Sequence, residues 1–416
     1  MEDILLRGIK QKKKKTPREE LEYNVDGERH PLLCSFEDLK TKVPFDSPLL
    51  TQKVVIPYFL KKTNVIVQAF TGSGKTLSYC LPLVEMARGR SLFGAILVPG
   101  KPLVRQVYRV VREIKHEGLK VVGVYGDGRE DFLVEEGEKG ELVQKAIDDK
   151  MRERIAESLR ASARVLIGTP RSVLSLMSMS EIRNVTHLVI DEADLLINPE
   201  TVGVFASILS VIEMEDTHIS CFSATMNEYV SEVIETVKSI TKIRVVSKRL
   251  IDHEFVFGTS RKIKHLSLLQ IIADGIESPT LIFVKDEKTG EALSMLLGKS
   301  AVYREDQEGS GEVLDGFRLK KIWYLFTTDS LSRGIDFYNI RSVINYDLPS
   351  TKTQFVHRIG RINRNCQGQK IYTIYSSEDF GRIGVVAEFL EENGHEVPKH
   401  ITRIIEKSRR RTNRKA

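Results

Sequence analysis

The chain has 416 residues, 41% hydrophobic and 29% charged, a length that exceeds one ordinary core and suits two domains with tails. No run of eighteen apolar residues occurs, so no transmembrane helix is expected, and the four scattered cysteines (Cys34, Cys80, Cys221, Cys366) lack zinc-ligand spacing and fit a reducing intracellular compartment. The net charge of +6 sits at the ends: residues 1–20 carry +3 and residues 403–416 carry +6, which leaves the body between them at −3.

In chain order, residues 1–30 read as a basic tail. The run "KQKKKK" repels itself and buries nothing, so disorder is expected there. The stretch lacks the apolar core and small-residue cleavage site of a secretory signal. Residues 31–245 read as an α/β domain. "NVIVQAF", "GAILVP", "ARVLIGTP", "HLVIDEAD" and "HISCFSAT" are short β-branched runs suited to buried parallel strands, and several precede helical apolar spacing. Residues 127–160 are charged and poor in apolar residues, as in a loop or helical excursion. Residues 246–262 are polar without helical periodicity and read as a linker. In residues 263–402 the pattern restarts with "PTLIFVK", "SAVYRE", "IWYLFTTD", "SVINYDLP" and "KIYTIYS"; Trp323 and Phe326 in that set read as strand packing. Residues 403–416, with "KSRRRTNRK", read as a second basic tail, with disorder expected for the same reason. Either tail suits nuclear import or a non-specific electrostatic hold on nucleic acid.

Three stretches carry chemistry. "AFTGSGKT" (69–76) lies between a strand and a helix, the context a phosphate-cradling loop requires. Gly72 and Gly74 let backbone N–H groups approach a phosphate, with Thr71 and Ser73 in the same loop, and the helix N-terminus adds favourable dipole charge. Lys75 can reach β- and γ-phosphates and Thr76 can ligate Mg²⁺. The pattern normally opens with glycine, where Ala69 stands. "VIDEADLL" ends another strand in acids: Asp191 suits a metal and Glu192 suits polarising a water, while Asp194 is placed to cap a helix. "FSATM" (222–226) closes the next strand, where Ser223 and Thr225 can link a phosphate site to movement.

Together "FTGSGKT", "DEAD", "SAT", "TDSLSRGID" and "HRIGRINR" resemble, in order, the motifs of DEAD-box ATP-dependent RNA helicases, over about residues 34–400. The resemblance implies two RecA-like domains, each a mostly parallel sheet flanked by helices, joined by a short linker. It implies ATP and Mg²⁺, RNA-stimulated hydrolysis, and an RNA strand or short duplex held mainly by its backbone. Phe36 and Gln52 match the adenine-recognising element. Lys75 and Thr76 match phosphate and metal ligands, Asp191 and Glu192 the metal-associated and catalytic acids, and Ser223, Thr225 and His357 the coupling elements. Asp336 matches a ribose contact, Arg361 and Arg364 match arginines that reach ATP from the second domain, and Lys101, Thr169 and Thr328 match RNA contacts. "SRGIDF…VINYDLP" and "NGHEVPKH" resemble the Rok-type branch, which acts in small-subunit rRNA processing. That implies rRNA or pre-rRNA as partner, a protein activator, a monomer, and a nuclear or nucleolar site with the cytoplasm as alternative.

The departures cluster. ATP-facing motifs are intact apart from Phe70, where glutamine is usual, and Asn363, where glycine is usual. RNA-facing motifs have drifted: "PGKPLV" (99–104) puts Lys101 in an arginine's place, "TPRS" (169–172) shifts the arginine to Arg171, and "QEGS" (307–310) loses it. An ATP-gated clamp with little unwinding is therefore the alternative activity. In "LPSTKTQFVHRIGRINR", Thr351 and Gln354 are spaced as a capping box. On a continuous helix Phe355, Ile359 and Ile362 share an apolar face. Arg358 falls about 60° from it, Arg361 about 120° and Arg364 about 180°, which makes Arg358 an anchor and turns the other two outward.

Overall fold

The computed structural model describes residues 21–413 except 27–34, 44, 46, 89–90, 128–129, 137–141, 161–162, 181–182, 226–227, 248–251, 305–306, 308, 330–339, 363–368 and 393–394. Two units meet at residues 246 and 247.

The first unit holds β1 (Leu21–Val25), β2 (Val65–Ala69), β3 (Leu92–Leu97), β4 (Lys120–Gly126), β5 (Asp131–Glu136), β6 (Leu142–Ala146), β7 (Ala163–Gly168), β8 (His187–Asp191), β9 (His218–Ser223) and β10 (Thr241–Ser247). Their order in the sheet is β1-β10-β2-β9-β8-β3-β7-β4-β5-β6. From β10 to β4 every pairing is parallel. The five β-branched runs of this half became β2, β3, β7, β8 and β9. Strands buried on both faces need such continuous apolar sequence. Side-chain alternation splits the core: Val65 and Val67 of β2 join one cluster with Val54, Tyr79 and Val107, and Ile66 joins the other with Val173, Ile208 and Val230.

The charged segment 127–160 holds more order than its composition suggests. β5 and β6 extend the sheet as an antiparallel hairpin. The helix Asp149–Leu159 follows, capped by Asp148, whose Oδ1 accepts from Met151 N–H at 2.7 Å. β1 also falls within residues read as tail and lies beside β10.

The second unit holds β11 (Asp252–Phe257), β12 (Thr280–Phe283), β13 (Ser300–Val302), β14 (Tyr324–Thr327), β15 (Ser342–Asn345) and β16 (Lys370–Tyr375), in the order β11-β16-β15-β12-β14-β13. All of these pairings are parallel. Three readings are corrected. The segment 246–262 is not wholly a linker: β11 forms the sheet's edge, and the next helix begins at Arg261. An edge strand tolerates the polar sequence "DHEFVF" because backbone pairing to β16 fixes it without full burial. The basic stretch after residue 403 is helical as far as Asn413. Trp323 precedes β14 and is 39% exposed, with Lys299 Nζ 3.9 Å from its ring centroid, whereas Phe326 is fully buried as expected.

Candidate active site

β2 ends at Ala69, and a tight turn leads into the helix Lys75–Met86. Gly72 (φ 80°) and Gly74 (φ 88°) both lie in the left-handed region that glycine enters without steric cost. Gly74 is also closely approached: a Cβ there would sit 2.4 Å from Gln52 Nε2 and 3.0 Å from Leu49 Cδ1. Gln52 Nε2 donates to Gly74 O at 3.4 Å while its Oε1 accepts from Leu49 N–H at 2.7 Å, which pins this glutamine to the loop. Lys75 is buried at the loop's base, with Nζ donating to Ala69 O at 2.9 Å. An ammonium has three donors, so this bond leaves two for a ligand. Ser73 Oγ is buried with no hydrogen-bond partner among the described residues. A helix N-terminus, a lysine with donors to spare and an unsatisfied hydroxyl converge, and together they suit a phosphate chain. Phe36 opens the 3₁₀ turn Phe36–Asp38 and packs half-buried on the first core cluster.

β9 lies between β2 and β8 in the sheet. The strands are parallel, so the phosphate loop, the acids and Ser223 all emerge at neighbouring C-terminal ends. That edge is where open α/β sheets bind ligands. Asp191, the last residue of β8, accepts from Tyr79 Oη at 2.7 Å on Oδ2 and from Glu192 N–H at 3.0 Å on Oδ1. Burial pushes its carboxyl up to about 7, and the Glu192 charge adds to the rise; the Lys75 ammonium and the two donors oppose it. Glu192 is left-handed at φ 49°, ψ 53°. That conformation costs a non-glycine residue roughly 1–2 kcal/mol, and here it turns the chain sharply between strand and helix. Asp194 is buried in the first turn of the helix Ala193–Leu196 and accepts from the Thr225 hydroxyl rather than capping the helix. Thr225 N–H in turn donates to Ser223 Oγ at 3.3 Å. The acidic motif and the Ser-Ala-Thr motif are thus directly bonded.

Lys101 opens the helix Lys101–Ile114, its Nζ 5.4 Å from the Tyr125 ring centroid. Thr169 spends its hydroxyl within the protein, donating to Gly126 O at 3.0 Å, accepting from Gly126 N–H at 3.3 Å and lying 2.9 Å from Ser172 Oγ. Ser172, where the resemblance expects arginine, is fully buried and donates to Asp131 Oδ1 at 2.6 Å. Arg171 is exposed beside it. The hairpin residue Asp131 therefore fastens the Thr169–Ser172 turn.

In the second unit Thr351 and Gln354 form the expected capping box on the helix Lys352–Ile359. Phe355, Ile359 and Ile362 enter one core cluster. Arg358 is 2% exposed and anchors the helix: Nε and Nη2 bind the two oxygens of Asp329 at 2.6 and 3.0 Å, and Nη1 donates to Asp347 O at 2.7 Å. The α-helix stops at Ile359, so the angular reading does not extend to Arg361. Shorter turns follow, from Arg361 N–H to Arg358 O and from Ile362 N–H to Ile359 O. Arg361 is 5% exposed, with Nε donating to His357 O at 3.3 Å, and His357 is itself buried. The outward orientation expected of Arg361 is corrected accordingly. Thr328 is half-buried just past β14, its carbonyl accepting from the Thr327 hydroxyl. Asp336, Asn363 and Arg364 lie outside the described residues.

Sequence reasoning missed Tyr79 and Asp131. Both make their key bond to a residue far away in the chain, 112 positions for Tyr79 and 41 for Asp131. No local pattern carries such a pairing.

The family model for DEAD/DEAH box helicases matches residues 50–233, and that for the helicase conserved C-terminal domain matches residues 262–366. The ATP-dependent RNA helicase ROK1 of Vanderwaltozyma polyspora is 27% identical, over 92% of this chain and 70% of its own. The ROK1 protein of Kluyveromyces lactis is 28% identical, over 94% and 71%. Among solved structures, Saccharomyces cerevisiae Dbp5 bound to RNA and ADP BeF3 superposes with a TM-score of 0.67 at 21% identity, over 90% of this chain and 99% of that one. This last likeness speaks for a fold of two RecA-like domains.

Proposed function

The chain belongs to the DEAD-box family of ATP-dependent RNA helicases, and from that premise we propose that it hydrolyses ATP to remodel or locally unwind RNA during ribosome biogenesis. One observation carries the ATP chemistry. The phosphate loop, Asp191 and Glu192, and Ser223 and Thr225 stand on three adjacent parallel strands and open at one edge.

In this reading Gln52 and Phe36 select the base, and Asp336 meets the ribose. Backbone N–H groups of residues 71–75, the Ser73 hydroxyl and Lys75 hold the phosphates. Thr76 and Asp191 are the residues that would hold Mg²⁺, which supplies charge neutralisation at the β- and γ-phosphate oxygens when bound. Glu192 accepts a proton from the attacking water. Arg361 and Arg364 are the arginines whose positive charge would stabilise the transferred phosphoryl group, an effect of order 10³–10⁵ in rate for such arginines. The bond between Thr225 and Asp194 supports a route from hydrolysis to RNA handling, and Ser223 and His357 are the further coupling residues of the proposal. Lys101, Thr169 and Thr328 serve the RNA backbone, Thr169 through the turn it stabilises.

The Rok-type sequence stretches and the name ROK1 shared by these relatives support a role on rRNA or pre-rRNA at a nuclear or nucleolar site; a monomer working with a protein activator belongs to the same proposal. No described helix is long and apolar enough to cross a membrane. A second reading, an ATP-gated RNA clamp, is favoured by the engaged Thr169 hydroxyl and by Ser172 in an arginine's place. ATP turnover with and without RNA, measured beside strand separation of a short duplex, tests both. Turnover that no RNA stimulates would overturn the proposal, and stimulated turnover without strand separation favours the clamp.

A further inference from the structure

Tyr79 is absent from the motif set that identifies this site, yet it touches three parts of it. It lies one turn beyond Lys75 and Thr76 on the helix that opens at the phosphate loop. Its hydroxyl donates to Asp191 Oδ2 at 2.7 Å. Its ring packs against Phe222, the residue before Ser223, at 5.0 Å between centroids. Both Tyr79 and Asp191 are buried, so the contact is shielded from solvent. A buried phenol requires a hydrogen-bond partner, and the partner here is a carboxyl group with few others: Asp191 takes one further bond, from Glu192 N–H.

We propose that Tyr79 is a positioning residue, whose hydroxyl fixes the rotation of the Asp191 carboxylate relative to the phosphate loop and so prepares it for the nucleotide-bound cation. This rests on the Mg²⁺ and ATP assignment above. The helix that carries the phosphate ligands thereby also aims the acid facing them. Hydrogen bonds to carboxylates that meet metals act in this way generally, because an unconstrained carboxylate samples orientations that bind poorly.

Tyr79→Phe tests it, since the ring and its packing on Phe222 remain. Affinity for a fluorescent ATP analogue is titrated against Mg²⁺ and, separately, in EDTA. The expected result is an Mg²⁺ half-saturation raised about tenfold, the scale of a lost hydrogen bond to a charged group. Affinity in EDTA stays near wild type, and the urea midpoint falls by no more than one lost buried hydrogen bond accounts for. In an Asp191→Asn background the tyrosine change should add little further. An unchanged Mg²⁺ half-saturation overturns the proposal, as does a Tyr79→Phe protein that fails to fold, which would assign the hydroxyl to stability instead. If the wild-type protein itself shows no Mg²⁺-dependent tightening, the ATP and Mg²⁺ assignment fails, a distinct outcome.

Discussion

Arg358 grips Asp329 with two parallel bonds, Nε to Oδ1 at 2.6 Å and Nη2 to Oδ2 at 3.0 Å, while Arg361, three residues on, donates from Nε to the His357 carbonyl. The fork that Arg358 uses is fully committed to its own unit. Breaking such a pair takes the two-bond partner from a carboxylate that is only 24% exposed. Arg358→Ala should destabilise the second unit by about 3 kcal/mol, and Arg358→Lys should not restore it, because an ammonium cannot match both oxygens. Arg361→Ala should cost about 1 kcal/mol of stability, the net worth of an ordinary hydrogen bond such as the one it gives His357 O, and lower RNA-stimulated turnover by about 10³. Equal stability losses in the two variants would refute the division of labour.

Glu192→Gln keeps the shape of the left-handed turn and removes the proton acceptor. Nucleotide binding should persist while kcat falls by roughly 10²–10⁴. Lys75→Ala should weaken nucleotide binding itself. Equilibrium binding and steady-state turnover on both variants separate the roles, and a Glu192→Gln protein with normal turnover excludes this residue as the base.

Gly74→Ala meets two obstacles at once, a φ of 88° and Gln52 Nε2 at 2.4 Å from the new Cβ. A stability loss of about 1–3 kcal/mol is expected, together with loss of ATP binding, because relief of the clash must move the glutamine or the loop. Gln52→Ala in the same background should recover part of the stability and none of the nucleotide affinity. Thermal unfolding with and without ATP reads both.

Asp191 has a carboxyl raised to about 7, first by burial and then by Glu192. The folded protein therefore holds a proton there that the unfolded chain releases near pH 4. Its contribution to stability is present below about pH 4 and is lost as pH rises to about 7. Asp191→Asn should raise the urea midpoint of the nucleotide-free protein at pH 8, with the advantage closing by pH 4. Mg²⁺ binding requires the ionised form, so Mg²⁺-dependent ATP affinity should weaken as pH falls below about 7. A midpoint difference independent of pH would contradict this.

The buried runs were legible because strands covered on both faces must be apolar throughout, and "HLVIDEAD" or "TLIFVK" admits little else. β11 was hidden for the opposite reason: an edge strand half in solvent has a sequence like that of a linker, and only its pairing to Lys370–Tyr375 reveals it. The hairpin of β5 and β6 was hidden by charge. At the site, the loop and the acids were legible as local strings. The ties between them (Tyr79 to Asp191, Thr225 to Asp194, Ser172 to Asp131) were not, since each joins residues distant in the chain. The course of the chain past Ile359 escaped angular reasoning because Gly360 closes the helix two residues before the apolar stripe ends.

The place of β9 between β2 and β8 has a consequence for how the protein is made. β2 is complete at Ala69 and β8 at Asp191, but the strand that joins them does not end until Ser223. During synthesis β2 waits with both edges open, because β10 is made later still, and β8 waits with one, until a late-arriving partner inserts between them; such long-range parallel pairing is slow. A nascent chain halted before His218 would expose these edges, the kind of surface that recruits chaperones or aggregates. The arrangement that brings three motifs to one edge also delays the ATP site until most of its unit has left the ribosome.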